Sequence, residues 1–185
     1  MRDMFDDPRP RRRLLVLIAT LLPVLAGCQP GGGPGDEVEN TALGIVVAPL
    51  PAPFEVLRND GETLQLAVDG DAERGLVEFE LSPPQPQGIN LVEESAARTA
   101  YFESRPGGTS SGRQEIVAPI GHVYTARGSY DAGGGRVEEL WALAVPPGAE
   151  RLLSIVYRYP AGTDSPQRAQ HLLTLLGNLA PLKAH

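Results

Sequence analysis

The sequence has one cysteine, one tryptophan, few aromatic residues and no excess of positive charge. A single cysteine cannot form a disulfide within the chain, so hydrophobic packing must stabilise any folded domain. With 16 basic and 23 acidic residues, the formal charge is −7, and such a chain lacks the positive face that nucleic-acid binding requires. The longest apolar run, residues 14–27, is shorter than the ~20 residues of a membrane-spanning helix. Composition therefore argues against a disulfide scaffold, a nucleic-acid-binding protein and a transmembrane helix.

The short apolar run is placed as in an export signal. Arg11, Arg12 and Arg13 precede it, small residues end it, and Cys28 follows. A positive region, an apolar region and small residues before a cut site are typical of a secretory signal peptide. The four residues Leu25-Ala26-Gly27-Cys28 resemble the lipobox of bacterial lipoproteins.

This resemblance implies that residues 1–27 are removed and that Cys28 carries lipid. Two or more acyl chains anchor a protein stably, whereas one does so only marginally. Gln29 occupies the position where aspartate would resemble an inner-membrane retention signal, so the outer membrane is favoured, with the domain in the periplasm. Cleavage removes five basic and three acidic residues, which leaves a formal charge of −9. Anionic headgroups would repel that charge, so lipid must hold the protein at the membrane.

Residues 28–53 are predicted to form the lipidated cysteine and a flexible tether. Gly31–Gly35 contains four glycines and a proline, and prolines recur from Pro49 to Pro53. Such composition disfavours regular structure. Thr41–Ala48 is more apolar and is compatible with an edge strand, so the tether could instead end near Asn40. A single folded domain is predicted over residues 54–185.

The domain is predicted to be α+β, with helices covering an antiparallel sheet. Asn59-Asp60-Gly61 lies between alternating apolar runs and predicts a β-hairpin. A strand at Val77–Leu81 follows, then a short helix from Leu91 that could pass into a strand at Thr99–Phe102. Three further strands are predicted to form a meander: His122–Tyr130, Arg136–Val145 and Leu152–Tyr159. A C-terminal helix is predicted at about residues 166–179, because its leucines follow a 3.6-residue period after Ser165-Pro166.

This order of elements resembles the PsbP/Mog1-like family over roughly Phe54–Leu182. The similarity includes Val156-Tyr157-Arg158-Tyr159-Pro160 before the last helix. Members of that family are mostly accessory or assembly factors without shared catalytic residues. The resemblance therefore implies an accessory role and supplies no catalytic residue.

One motif could indicate catalysis. Gly108-Thr109-Ser110-Ser111-Gly112 fits G-x-S-x-G, and Asp164 and His171 follow in the order Ser-Asp-His. A nucleophile elbow needs a strand before the serine and a helix after it, and neither is predicted here. His171 is expected to be solvated on the helix surface. A flexible loop rich in glycine and serine is the preferred interpretation.

Metal and cofactor sites are not predicted. His122, His171 and His185 are scattered, and His122 is expected beside Tyr124 on a sheet face. The adjacent acids at 93–94 and 138–139 should diverge and be solvated.

Four tyrosines on the predicted meander are expected to fill the core, with an interface role as the alternative: Tyr124, Tyr130, Tyr157 and Tyr159. The preferred functional hypothesis is a non-enzymatic, membrane-anchored lipoprotein that faces the periplasm and binds a protein partner in an envelope complex. A small-ligand-binding lipoprotein with its site between sheet and helix is the alternative. A serine hydrolase that uses Ser110 is the third hypothesis.

Overall fold

The computed structural model describes residues 32–163 and 165–183. In this part of the chain the elements are, in order, β1 (Val38–Asn40), β2 (Ile45–Val47), β3 (Phe54–Asp60), β4 (Thr63–Val68), β5 (Asp71–Leu81), α1 (Leu91–Glu103), β6 (Thr109–Ala118), β7 (Gly121–Asp131), β8 (Arg136–Ala144), β9 (Leu153–Pro160), α2 (Ser165–Gly177) and β10 (Leu179–Pro181). Two antiparallel sheets and two helices confirm the predicted α+β class. No helix of these residues is both long enough and apolar enough to cross a membrane.

The main sheet has seven antiparallel strands in the order β3-β4-β5-β9-β8-β7-β6. The predicted hairpin is β3–β4, in which Asp60 pairs with Thr63. Strand β5 joins the hairpin to the C-terminal strands by pairing with β9, so that Glu80 lies opposite Ser154. A second sheet has the order β1-β2-β10.

Different elements pack against the two faces of the main sheet. One face packs against α2 and the small sheet in a core that includes Phe54, Phe79, Tyr157 and Leu176. The other face packs against α1 through a smaller cluster that includes Phe102 and Trp141. Their rings are stacked, with centroids 6.2 Å apart. Trp141 and its neighbours Leu140 and Ala142 therefore point to opposite faces, as strand periodicity predicts.

Helix α1 is longer than predicted. Asn90 caps its first turn by accepting hydrogen bonds from the backbone N–H groups of Val92 and Glu93, which satisfies donors that a helix start leaves open. The predicted change to a strand at Thr99–Phe102 is wrong, because the helix continues to Glu103. Burial of the Phe102 side chain against the sheet outweighs the strand propensity of these residues.

The folded part begins well before Phe54, so the predicted boundary of the tether at residue 53 is wrong. Val38, Ile45 and Val47 are buried in the main core. The small sheet forms because β2 pairs with both β1 and the C-terminal β10. Strand β2 lies within Thr41–Ala48, the stretch that was compatible with an edge strand. Strands β1 and β10 were not predicted, because they have three residues each and pair through β2 with segments far apart in the chain.

The predicted three-stranded meander has four strands. Thr109–Ala118, expected to begin as a loop, forms the edge strand β6 and pairs with β7. A bulge between Ser111 and Gln114 interrupts the ladder, and Gly112 lies there at φ +70°. This conformation favours glycine, so the glycine marks a bulge in a strand.

The C-terminal helix is confirmed, with two corrections of detail. It ends at Gly177, and Leu179 belongs to β10. Leu173, one of the leucines whose 3.6-residue period predicted the apolar side of this helix, is exposed, whereas Leu175 is buried. The predicted signal peptide, Cys28, Asp164 and His185 lie outside the described residues.

Candidate functional site: the surface of helix α1

Helix α1 covers only part of its face of the main sheet. It packs on β6, β7 and β8 and leaves a cleft between itself and β5, β8 and β9. The cleft has a volume of about 450 Å³. Apolar and polar side chains both line it: Leu81, Leu143, Leu152, Glu80, Glu94, Arg98, Tyr101 and Ser154. Its size falls within the range of ligand-binding clefts.

An exposed tyrosine stands at the border of this cleft. The Tyr101 side chain is 45% exposed, and two guanidinium groups flank it. Arg98 and Arg105 lie 5.9 and 5.5 Å from the ring centroid, and Arg105 Nη1 donates to the Tyr101 hydroxyl at 2.9 Å. These three residues are called the Tyr101 patch below. The contacts fix the ring although much of it faces solvent.

A polar network supports the Tyr101 patch from beneath. The Arg105 guanidinium lies 4.5 Å from the Tyr130 ring centroid, and the Tyr130 hydroxyl donates to Glu139 Oε1 at 2.7 Å. Arg158 Nε donates to the same oxygen at 2.8 Å and also pairs with Glu78. Burial, and then the hydrogen bond to Glu139, raise the pKa of Tyr130. The hydroxyl therefore remains a donor at neutral pH.

The two arginines of the Tyr101 patch form no ion pair with a carboxylate of the described residues. Arg98 Nη2 instead donates to Ser154 Oγ at 3.2 Å across the cleft. Other arginines in this acidic chain do pair with carboxylates, as Arg151 does with Glu62. The arrangement leaves positive charge and an aromatic ring available on one surface of a negatively charged molecule.

The structure separates the serine and histidine of the G-x-S-x-G hypothesis. Ser110 lies on β6 and lines a shallow groove beside α1 with Ala96 and Ala100. His171 lies on α2, on the opposite side of the main sheet, with its ring centroid 6.1 Å from that of Phe54. It is partly buried, so the expectation of a solvated histidine is wrong. No described contact links Ser110 to His171.

The strand histidine forms an exposed cluster. His122 Nδ1 lies 2.9 Å from Glu115 Oε1, and the Tyr124 hydroxyl donates to Glu115 Oε2 at 3.1 Å. The contacts from His122 and then Tyr124 lower the pKa of Glu115, so its carboxylate stays charged at neutral pH. His122 therefore lies beside Tyr124 as expected, bridged by Glu115. Among residues 32–163 and 165–183, no group of three or more histidine, cysteine, aspartate or glutamate residues is arranged to hold a metal ion.

One acidic residue was assigned to solvent wrongly. Glu138 and Glu139 point to opposite faces, as adjacent residues of a strand must, but Glu139 is only 3% exposed. Its position beneath α1, between Tyr130 and Arg158, explains the burial.

The tyrosines expected in the core mostly lie there. Tyr130, Tyr157 and Tyr159 are buried, whereas Tyr124 is partly exposed. The prominent exposed tyrosine is Tyr101, which the sequence reasoning missed because it placed that residue near a change from helix to strand. Arg98 at i−3 and Arg105 at i+4 were the available signal.

No model of a known protein family matches the sequence, and the comparison with curated proteins finds no match. Among solved structures, the chain is similar to the crystal structure of LpqN, which is involved in cell envelope biogenesis of Mycobacterium tuberculosis. The match covers 69% of each chain, with 11% sequence identity and a TM-score of 0.42. A similarity at this level carries no argument about the function of this chain.

Proposed function

We propose that this chain is a lipid-anchored protein of a bacterial cell envelope, acylated at Cys28, whose domain is a non-enzymatic subunit that binds another protein through the Tyr101 patch. The lipobox-like sequence supports the anchor, and Gln29 supports the outer membrane with the domain in the periplasm. The observation that carries the binding role is the exposed Tyr101 ring, which Arg98 and Arg105 flank at the border of a cleft.

Physical reasons favour a protein partner at this surface. Tyrosine and arginine are enriched among residues that dominate binding energy. The contacts of Tyr101 with Arg98 and Arg105 already restrict its ring, so binding would lose less side-chain entropy. The cleft opens to solvent beside the patch and offers Leu143 and Leu152 for apolar contact. A protein surface can cover the ring, both guanidinium groups and the cleft together.

Site-directed photocrosslinking in intact cells tests this proposal. A photoreactive phenylalanine analogue replaces Tyr101 in the full chain, and Leu173 is the matched control because it is 44% exposed on α2. We expect a defined protein adduct from position 101 that is absent from position 173. Arg98→Ala should reduce the adduct, because it removes one of the flanking guanidinium groups. The same pattern from both positions, or no adduct from position 101, would contradict the proposal.

A small-ligand role is a second candidate because Arg98 reaches across the cleft to Ser154. This guanidinium group could bind a carboxylate or phosphate, while the leucines of the cleft contact an apolar part. Native mass spectrometry of protein released from membranes distinguishes the two candidates. A bound small molecule that is lost in Arg98→Ala, with no crosslinked protein at position 101, would favour the ligand-binding role.

A further inference from the structure

Among the described residues, nothing pairs with the outer edge of β6, which is an edge strand of the main sheet. Residues near the N-terminus cover the opposite edge, where the Val56 N–H donates to the Gly32 carbonyl at 2.9 Å. Within the described residues, no backbone hydrogen bond from outside the β6–β7 ladder reaches Thr109–Ala118. The strand also carries Val117, whose side chain is 78% exposed. An open edge with an exposed apolar side chain is a ready template for another strand.

The bulge determines how many pairing positions β6 has and which residue is at the centre of the strand. Gly112 and Arg113 together stand opposite one residue of β7, so β6 has nine pairing positions and Gln114 is the central one. If two copies pair antiparallel about a two-fold axis at Gln114, Thr109 of each copy lies opposite Ala118 of the other. The whole strand is then paired. The two residues of each opposed pair also lie on the same face of the joined sheet, as antiparallel pairing requires.

Charge selects this register over its neighbours. Pairing about Gln114 places Arg113 of each copy opposite Glu115 of the other, and the pair occurs twice. If the axis moved one position toward the C-terminus, Glu115 of one copy would lie opposite Glu115 of the other. If it moved one position the other way, the two Arg113 residues would lie opposite each other. Opposite charges across strands stabilise pairing, whereas like charges destabilise it. Arg113 forms no ion pair with a described residue, so its guanidinium group is available.

The exposed valine also finds a complementary surface in this register. Val117 is on the α1 side of the sheet and would lie opposite Ser110 of the second copy. Ser110 borders a groove of about 310 Å³ between β6 and α1, which the small side chains of Ala96, Thr99 and Ala100 also line. The methyl groups of Val117 can therefore be buried in the groove of the second copy.

We propose that two copies of this chain associate through β6, in antiparallel register about Gln114, to form one continuous sheet of fourteen strands. The interface combines the edge hydrogen bonds, two Arg113–Glu115 pairs and two buried Val117 side chains. This association is independent of the Tyr101 patch.

Charge-swap variants of the full chain, purified in detergent, test the register by sedimentation velocity. The wild-type protein should be a dimer. Arg113→Glu and Glu115→Arg should each weaken self-association by about tenfold or more, because each variant opposes like charges twice. A mixture of the two variants should regain the dimer, since every opposed pair is then Glu with Arg. A monomeric wild-type protein, or a mixture no more associated than either variant alone, would overturn the proposal.

Disulfide trapping provides a second measurement. In a Cys28→Ser background the chain has no other cysteine, so Gln114→Cys should form a covalent dimer under mild oxidation, because the residue opposes its own copy. Leu57→Cys, at an exposed position on β3, is the control and should remain monomeric. Equal crosslinking at both positions would place the contact elsewhere and contradict the register. Thermal unfolding of each variant checks that Glu115→Arg, which loses its contacts with His122 and Tyr124, remains folded.

Discussion

The most constrained residue beneath the Tyr101 patch is Glu139. Its carboxylate is almost fully buried and accepts hydrogen bonds from Tyr130 and Arg158. A buried carboxylate is tolerated because a cation and a hydroxyl compensate its lost hydration. Through Tyr130 the network contacts Arg105, and Arg105 contacts Tyr101. The position of the exposed ring thus depends on a charge that lies inside the protein.

Replacing Glu139 should destabilise the domain. Glu139→Ala leaves the Tyr130 hydroxyl unpaired and removes one of two carboxylates from Arg158, so we expect a loss of about 2–4 kcal/mol in the free energy of unfolding. Glu139→Gln should cost less because an acceptor oxygen remains. Chemical denaturation measures both, with Glu103→Ala at an exposed position of α1 as the control. Equal stability of Glu139→Ala and wild type would show that the network contributes nothing.

Ser110 should not act as a nucleophile. Among the described residues no hydrogen bond joins the Ser110 side chain to a base, and His171 is on the other side of the sheet. An unactivated serine is a weak nucleophile, so the protein should not react with a fluorophosphonate probe. Labelling that is lost in both Ser110→Ala and His171→Ala would instead establish the hydrolase hypothesis.

At the scale of elements, the approach of α1 to the sheet depends on a glycine in β7. A Cβ atom on Gly128 would lie 2.6 Å from Cγ of Phe102, which is closer than real contacts allow. The missing side chain therefore makes room for the Phe102 ring, and Phe102 in turn fixes the C-terminal half of α1. Arg98 and Tyr101 lie in this same half of the helix, and Arg105 follows just after its C-cap.

Gly128→Ala should therefore displace α1 and weaken the site. Overpacking of this kind typically costs ~1–3 kcal/mol, and crosslinking from position 101 should fall as well. Phe102→Leu in the same chain should recover part of the stability by freeing space. Gly134→Ala is the control, because a Cβ there meets nothing within 4 Å. An unchanged melting temperature in Gly128→Ala would contradict the proposed packing.

The sequence predicted the elements that have strong local signals and missed those that depend on distant partners. Asn59-Asp60-Gly61 and the leucines of α2 indicate their structures locally, and both predictions are confirmed. Strand β6 is mostly polar and exposed because it lies at a sheet edge, so it lacks the apolar alternation that identifies strands. The Tyr101 patch could be predicted only after α1 was known to continue past Thr99.

At the scale of the whole molecule, residues from the predicted tether complete the main core. Ile45 is fully buried, and its strand β2 pairs with β10 near the C-terminus. The domain therefore closes only when segments near both ends of the described chain meet. The apolar stretch Thr41–Ala48 indicated a possible strand here, but a three-residue strand carries no long periodic pattern from which its pairing with β10 could be predicted.

Truncating Ile45 should be costly for this reason. We expect Ile45→Ala to lower the free energy of unfolding by about 2–5 kcal/mol, as removal of a fully buried aliphatic side chain does. Leu57→Ala is the matched control because its side chain is exposed on β3, and it should change stability little. Chemical denaturation compares the two variants. Equal effects would mean that residues before Phe54 behave as a tether.

Intact mass spectrometry of the protein purified from membranes shows whether Cys28 carries a lipid anchor. We expect a mature chain that begins at Cys28 and carries the added mass of acyl chains. Cys28→Ser should abolish this species, and the variant should either be released from carbonate-washed membranes or stay uncleaved. A chain that begins at another residue, a free Cys28 thiol, or a cleaved Cys28→Ser variant that stays with washed membranes would contradict the claim.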